Sequence, residues 1–259
     1  MKFNFAQLVF VLSAGCFLLL LTNKYLYSFL DKTDNLKSVF LFSEDIPNGK
    51  VLLESQRLEL VSEDSSALTL TTPQILVDID PVTIEEYTIF SRKTGRSLAY
   101  YPFLIPGPEQ KYSVLEDGYP VVIGTPEQAL SYCAWRGERL LMESEWLVAA
   151  CGTDGRTYPW GEQWMSGQAN VNSKGVAPID QFPTDIGALG IRGVVGNVMD
   201  LVMIDHPTGA RYALRGGGWD ITELASRCDS RIVLDPSYHQ FVSMQIGFRC
   251  AKVIEKNNE

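Results

Sequence analysis

The sequence predicts a loop-rich α+β domain carried behind an N-terminal transmembrane helix. Three observations predict it. The run from Phe3 to Thr22 has no charge between Lys2 and Lys24, and about twenty apolar residues suffice to cross a bilayer core as a helix. Two stretches carry helix-start chemistry at Thr83 and Thr125, after β-like runs at 51–53 and 68–77. The C-terminal half is dense in Gly, Pro and Trp, residues that punctuate loops and interrupt long regular elements.

Composition bounds the function. The 259 residues are 46% hydrophobic and 11% aromatic, enough for one large core and unlike a disordered chain. The formal net charge is -9, which argues against a nucleic-acid surface, since that requires a basic stripe.

In chain order, residues 1–24 read as a transmembrane signal anchor that includes the unbroken Phe17-Leu18-Leu19-Leu20-Leu21. Cleavage is the competing reading, because Ser13-Ala14-Gly15-Cys16 is similar to a lipoprotein box; Ser13 and the apolar run beyond Cys16 weigh against it. Residues 25–45, with Asp31-Lys32-Thr33-Asp34, form a tether. The folded domain is expected over 46–252, with 253–259 as a charged tail.

Ile46-Pro47-Asn48-Gly49 is a turn that leads into the apolar Val51-Leu52-Leu53, and a second β-like stretch spans Leu68 to Val77. Thr83 and Glu86 have capping-box spacing, Tyr87 and Phe90 share a helical face, and Gly95 ends the helix. Thr125-Pro126-Glu127-Gln128 combines a capping hydroxyl, proline at the first helical position and a reciprocal Gln128. A third helix is expected near Glu143-Ser144-Glu145-Trp146, starting less sharply because Leu141 and Met142 precede it. Arg215-Gly216-Gly217-Gly218-Trp219 cannot be helix interior and predicts a tight backbone crossing.

Cysteine use points outward. Cys16 lies in the apolar run, leaving Cys133, Cys151, Cys228 and Cys250, an even number behind an export signal that favours disulfides. His206 and His239 have no ligand neighbour at metal spacing. There is no Gly-x-Ser-x-Gly elbow, and Gly216-Gly217-Gly218 lacks the Lys-Ser/Thr of a phosphate loop.

Several of these runs together resemble the formylglycine-generating enzyme, or sulfatase-modifying-factor, family. They are Pro81-Val82-Thr83-Ile84-Glu85-Glu86-Tyr87, Tyr132-Cys133 with Trp135, Gly137, Arg139-Leu140 and Glu143-Ser144-Glu145-Trp146, then Tyr158-Pro159-Trp160-Gly161, Gly196-Asn197-Val198, Arg215-Gly216-Gly217 and Gly247-Phe248-Arg249-Cys250. The resemblance covers about Ile46 to Lys252 and implies a variant of the C-type lectin fold. In catalytic members two cysteines after the Gly-Gly-Ser run bind copper, a soft-ligand choice suited to Cu(I). Counting from the glycines puts Ile221 and Ser226 at those places, and Gly218 replaces the family serine. No catalytic residue and no copper are therefore expected.

The resemblance implies that Trp135, Trp146 and Trp160, which could otherwise line a ligand cleft, pack in the core. It also implies the pairs Cys133 with Cys250 and Cys151 with Cys228, the latter offset by one residue. It implies a structural Ca²⁺ held by Asn197 and Asp200, both oxygen donors of the kind calcium takes. The expected protein is a single-pass membrane protein with its body on the periplasmic or extracellular side, binding or regulating an exported or envelope partner. An active oxidase of the family, and a sensor beside kinases or secretion machinery, are the competing expectations.

Overall fold

The structure, a computed structural model, describes residues 9–13, 16–20, 46–61, 67–97, 105–106, 112–113, 118–204, 211–235 and 245–254. The chain divides into two units, one of residues 1–48 with 255–259 and the other Gly49–Ile254. In the first, β1 (Val9–Ser13) and β2 (Cys16–Leu20) pair antiparallel, Val9 opposite Leu20 and Ser13 opposite Cys16. Within the helix expected over Phe3 to Thr22, the described residues 9–13 and 16–20 are strand, and the others lie outside the described residues. A uniformly apolar run lacks the 3.6-residue period that separates helix from strand, so its sequence does not choose between them. No helix among the described residues is long and apolar enough to cross a membrane.

The second unit opens at the Gly49 turn with β3 (Lys50–Leu53), followed by the pair β4 (Gln56–Val61) and β5 (Ala67–Thr72), then β6 (Ile75–Asp78). The β-like stretch read as one is thus two strands, parted at Pro73, whose missing N–H cannot serve a ladder. Helix α1 (Ile84–Thr94) begins as predicted. Thr83 Oγ1 accepts Glu86 N at 3.3 Å, Glu86 Oε2 accepts Thr83 N at 2.8 Å, and Gly95 closes the helix at φ 70°.

After the short strands β7 (Ile105–Pro106) and β8 (Tyr112–Ser113) comes α2 (Pro126–Trp135), where Gln128 Oε1 accepts Thr125 N at 3.0 Å. Next come β9 (Arg139–Leu140) and α3 (Glu143–Cys151). Although Met142 offers no capping oxygen, Glu145 Oε2 still accepts Met142 N at 2.8 Å, so half of the capping arrangement survives. The chain then runs mainly as loop to β10 (Met199–Ile204), β11 (Arg211–Arg215), a 3₁₀ turn over Glu223–Ser226, β12 (Ile232–Val233), β13 (Ile246–Gly247) and β14 (Cys250–Val253).

Two four-stranded sheets organise the unit, ordered β3-β6-β14-β9 and β12-β11-β10-β13. β14, the last strand, pairs antiparallel with β6 on one side and β9 on the other. The C-terminal segment therefore completes a sheet started some two hundred residues earlier, which puts Arg249 and Phe248 in the middle of the fold. One core cluster surrounds Trp146, Ile191 and Val202; the other stacks Tyr87, Phe90, Tyr132 and Phe248. Tyr87 and Tyr132 lie parallel at 5.5 Å and Phe248 meets Tyr132 edge-on at 5.5 Å, offset and edge-to-face arrangements that aromatic quadrupoles favour.

The expectation that three tryptophans pack in the core needs correction. Trp146 is buried, Trp160 is half-buried, and Trp135, at the last turn of α2, is 40% exposed. It leans on Phe90 and Tyr132 and lies under Lys93 Nζ at 5.8 Å.

The structure joins Cys133 to Cys250 and Cys151 to Cys228, across 117 and 77 residues. The first bridge lies beside a charge cluster. Asp78 accepts from Lys50 Nζ at 2.7 Å, from Arg136 Nη2 at 2.8 Å and from Cys250 N at 2.9 Å, and Glu138 takes Lys50 Nζ at 2.9 Å. Two acids and two bases balance there, which is what buried charge requires.

Candidate functional site

β11 ends at Arg215, and three glycines follow because the chain crosses two other segments at close range. Gly216 adopts φ 83°, and a Cβ there would fall on Val194 O. Its own carbonyl accepts Gly196 N at 2.8 Å. Gly218 needs no special φ but has no room: a Cβ would lie within 2.8 Å of Gln245 Cδ and closer still to its Oε1. Beyond the crossing, Trp219 N donates to Asn197 O at 3.0 Å, Ser173 N to Trp219 O at 2.7 Å, and Asn172 N to Ile221 O at 3.0 Å. The turn carrying Ile221 is thereby fixed by three hydrogen bonds to two neighbouring loops.

The two positions where the family resemblance places copper thiolates hold no sulfur. Ile221 is half-buried and packs against the aromatic core cluster. Ser226 is buried in the 3₁₀ turn, its hydroxyl donating to Thr222 O at 3.1 Å, against the face where a Cβ on Gly217 would project. The four cysteines of the body are consumed in disulfides. A hydroxyl and an aliphatic side chain do not fit Cu(I), and no step through copper can be built on these residues.

Asn197 and Asp200 do not fit the calcium expectation either. Asn197 sits at φ 58° and is buried. Its Oδ1 accepts Asn170 Nδ2 at 3.0 Å and Ala177 N at 2.8 Å, while its Nδ2 donates to Ala177 O at 3.0 Å. The amide thus pairs with a main-chain unit as a strand would, and its oxygen is already saturated. Asp200 lies on β10, where Oδ2 accepts Trp146 Nε1 at 2.8 Å and Arg249 Nε at 2.9 Å. The two residues serve separate internal networks. The corrected assignment is a loop brace for Asn197 and an ion-pair anchor for Asp200.

One other group of ligand-type atoms is close-packed among the described residues: Asp78, Glu138 and Cys250. Cys250 is a disulfide sulfur and both carboxylates already face Lys50 and Arg136, so the group is spoken for. His206 and His239 lie outside the described residues.

Sequence reasoning missed Arg215, Gln245 and Asp185. Arg215 is buried, pairs with Glu143 at 2.5 Å, donates to Cys228 O at 3.2 Å and Ser230 O at 3.0 Å, and lies 5.9 Å over Trp146. Burial pulls its guanidinium down from the usual range, against the opposing pull of Glu143. An Arg directly before a glycine crossing was the available signal; Gln245 and Asp185 stand in no motif.

Beside the 3₁₀ turn, buried Tyr158 and half-buried Trp160 and Trp164 form a ring triangle with centroids 5.4 to 5.6 Å apart. Tyr158 Oη reaches Glu223 O at 3.3 Å, and Leu224, next in the turn, is 68% exposed. The arrangement is partly apolar, with Leu224 as its exposed member.

Over residues 44–254 the chain matches the sulfatase-modifying factor enzyme 1-like domain. It is 31% identical over 215 residues to the serine/threonine-protein kinase Pkn1 of Chlamydia trachomatis serovar L2, which covers 72% of this chain and 34% of that protein. The chain thus spans about a third of the length of the Chlamydia kinases it matches. It is 25% identical over 262 residues to the inactive C-alpha-formylglycine-generating enzyme 2 of Mus musculus, covering 80% and 84% of the two chains. Among solved structures, PvdO from Pseudomonas aeruginosa superposes with a TM-score of 0.62 at 20% identity, over 79% of this chain and 94% of that one. At that identity the likeness is one of fold.

Proposed function

Because the chain belongs to the family of sulfatase-modifying factor enzyme 1-like domains, we propose that it is a non-catalytic member, an exported and membrane-anchored binding or regulatory module. The observation that carries the reading is Ile221 and Ser226 at the copper-ligand positions, with every body cysteine in a disulfide. The resemblance to an enzyme named as inactive supports it. So does the similarity to about a third of the length of the Chlamydia kinases, which favours a place beside signalling proteins. The relation of the fold to C-type lectins belongs to the same reading.

Anchoring rests on the uncharged stretch between Lys2 and Lys24, with the body on the periplasmic or extracellular side, where disulfides persist. The partner is an exported or envelope protein, met at the face around the 3₁₀ turn.

Two experiments test the proposal. Cu(I) titrated into the purified, oxidised protein against a competing chelator should leave all copper with the chelator; retention of one equivalent would restore an active oxidase. An alkaline phosphatase fused to the C-terminus should be active in cells, and an inactive fusion would contradict the orientation.

A further inference from the structure

Behind the glycine crossing lie three buried charged side chains that the reading above does not use. Asp185, in the loop between residues 182 and 196, is 1% exposed, Asp200 2% and Arg249 1%. Gly193 lies between the Asp185 main chain and the Arg249 side chain, since its N–H donates to the main-chain carbonyl of Asp185 at 3.0 Å and its own carbonyl accepts Arg249 Nη2 at 3.2 Å. Arg249 Nε then reaches Asp200 Oδ2 at 2.9 Å. Asp185 meets main-chain donors instead of a cation: its two carboxylate oxygens accept Val195 N at 3.0 and 3.2 Å. Asp200 Oδ1 is buried with no hydrogen-bond partner among the described residues.

The buried charge around Gly193 is therefore two carboxylates and one guanidinium, with the guanidinium paired to Asp200. A further pair, Arg192 with Asp80, is balanced and partly exposed. A buried excess negative charge is costly, and binding a proton removes it.

We propose that this cluster holds one proton, on Asp185, as part of the closed fold, and that losing it loosens the 182–196 loop. When the Asp185 O–H bond breaks the proton goes to solvent, leaving a buried carboxylate that meets the Val195 amide and no counter-charge at hydrogen-bond distance among the described residues. The loop that must then give way continues into Gly196 and Asn197, which hold Gly216 O and Trp219 N. The cluster is thus a pH-sensitive latch on the crossing that shapes the proposed binding face.

The direction follows from the environment. Burial pushes the Asp185 carboxyl up to about 7, with Asp200 adding to the rise and the Val195 and Val194 amides and Arg249 opposing it. An unfolded aspartate titrates near 4, so between about pH 4 and about pH 7 the folded state alone holds the proton. This contribution to stability is complete below about pH 4 and is lost as the pH rises through about 7. The latch opens on the alkaline side.

The test uses the full-length chain in detergent, by infrared spectroscopy and amide hydrogen exchange at about pH 6 and about pH 8, on either side of that value. A buried carboxylic-acid carbonyl band should be present at the lower pH, vanish at the higher, and be missing from Asp185→Asn. Protection of the Val195 and Gly196 amides, corrected for intrinsic exchange, should fall with pH in the wild type and hold in the variant, whose neutral amide cannot ionise. No band at the lower pH, a band that survives in Asp185→Asn, or equal loss of protection in both proteins would overturn the proposal. Should the variant not fold, the wild-type band and its protection decide.

Discussion

Gln245 occupies the space that any side chain at position 218 would need, so the glycine there and the glutamine 27 residues later fit as a pair. Gly218→Ser, which restores the family residue, should destabilise the protein by about 1 to 3 kcal/mol through overpacking. In a Gly218→Ser, Gln245→Ala double variant the serine should cost less, with a favourable coupling on the order of 1 kcal/mol. Denaturant unfolding of the four proteins measures it. Additive effects would show that Gln245 is not what excludes the side chain.

The two disulfides should matter for stability. Closing loops of 117 and 77 residues stabilises by roughly 4 to 5 kcal/mol each in the chain-entropy estimate, against a typical folding free energy of about 5 to 15. Cys133→Ser with Cys250→Ser should lower the unfolding midpoint steeply. The denatured, unreduced wild type should show no free thiol from the four body cysteines in a maleimide assay, and two free thiols would refute the pairing.

What the sequence revealed and what it hid divide along physical lines. Thr83 with Glu86 and Thr125 with Gln128 were legible because a cap is a local interaction with a fixed spacing. The glycine crossing was legible because only glycine tolerates the backbone at Gly216. Asn197 and Asp200 were read as oxygen donors of one loop, whereas Asp200 lies on β10 and each already has its own internal partners. Their ligands, Ala177, Asn170, Trp146 and Arg249, come from 20 to 54 residues away, and no spacing rule reports them. Trp135 misled because a tryptophan at a family position was taken as core, whereas the last turn of α2 leaves it half outside.

If Asn197 braces the loop instead of binding an ion, Asn197→Ala should cost about 2 to 4 kcal/mol. It would orphan the buried Ala177 N–H and Asn170 amide, each worth about 1 to 3, and place alanine at a φ it disfavours. The loss should be equal in excess Ca²⁺ and in chelator, as judged by melting temperature. A calcium-dependent rise in wild-type melting temperature that the variant lacks would reinstate the ion.

Arg249 is the one cation joining Asp200 to the Ile79, Arg192 and Gly193 carbonyls. Arg249→Met should cost about 3 to 5 kcal/mol, because it leaves a buried carboxylate without its counter-charge. Arg249→Met combined with Asp200→Asn should recover part of that loss. A single variant within about 1 kcal/mol of wild type by denaturant titration would contradict the ion-pair account.

The central claim is that this fold has lost the oxidase chemistry of its family. Its most direct test is mass spectrometry of a Cys-x-Pro-x-Arg peptide incubated aerobically with the copper-supplemented protein. The account predicts that the cysteine is recovered unchanged, since Ile221 and Ser226 cannot hold the metal, whereas formylglycine in the peptide would contradict it.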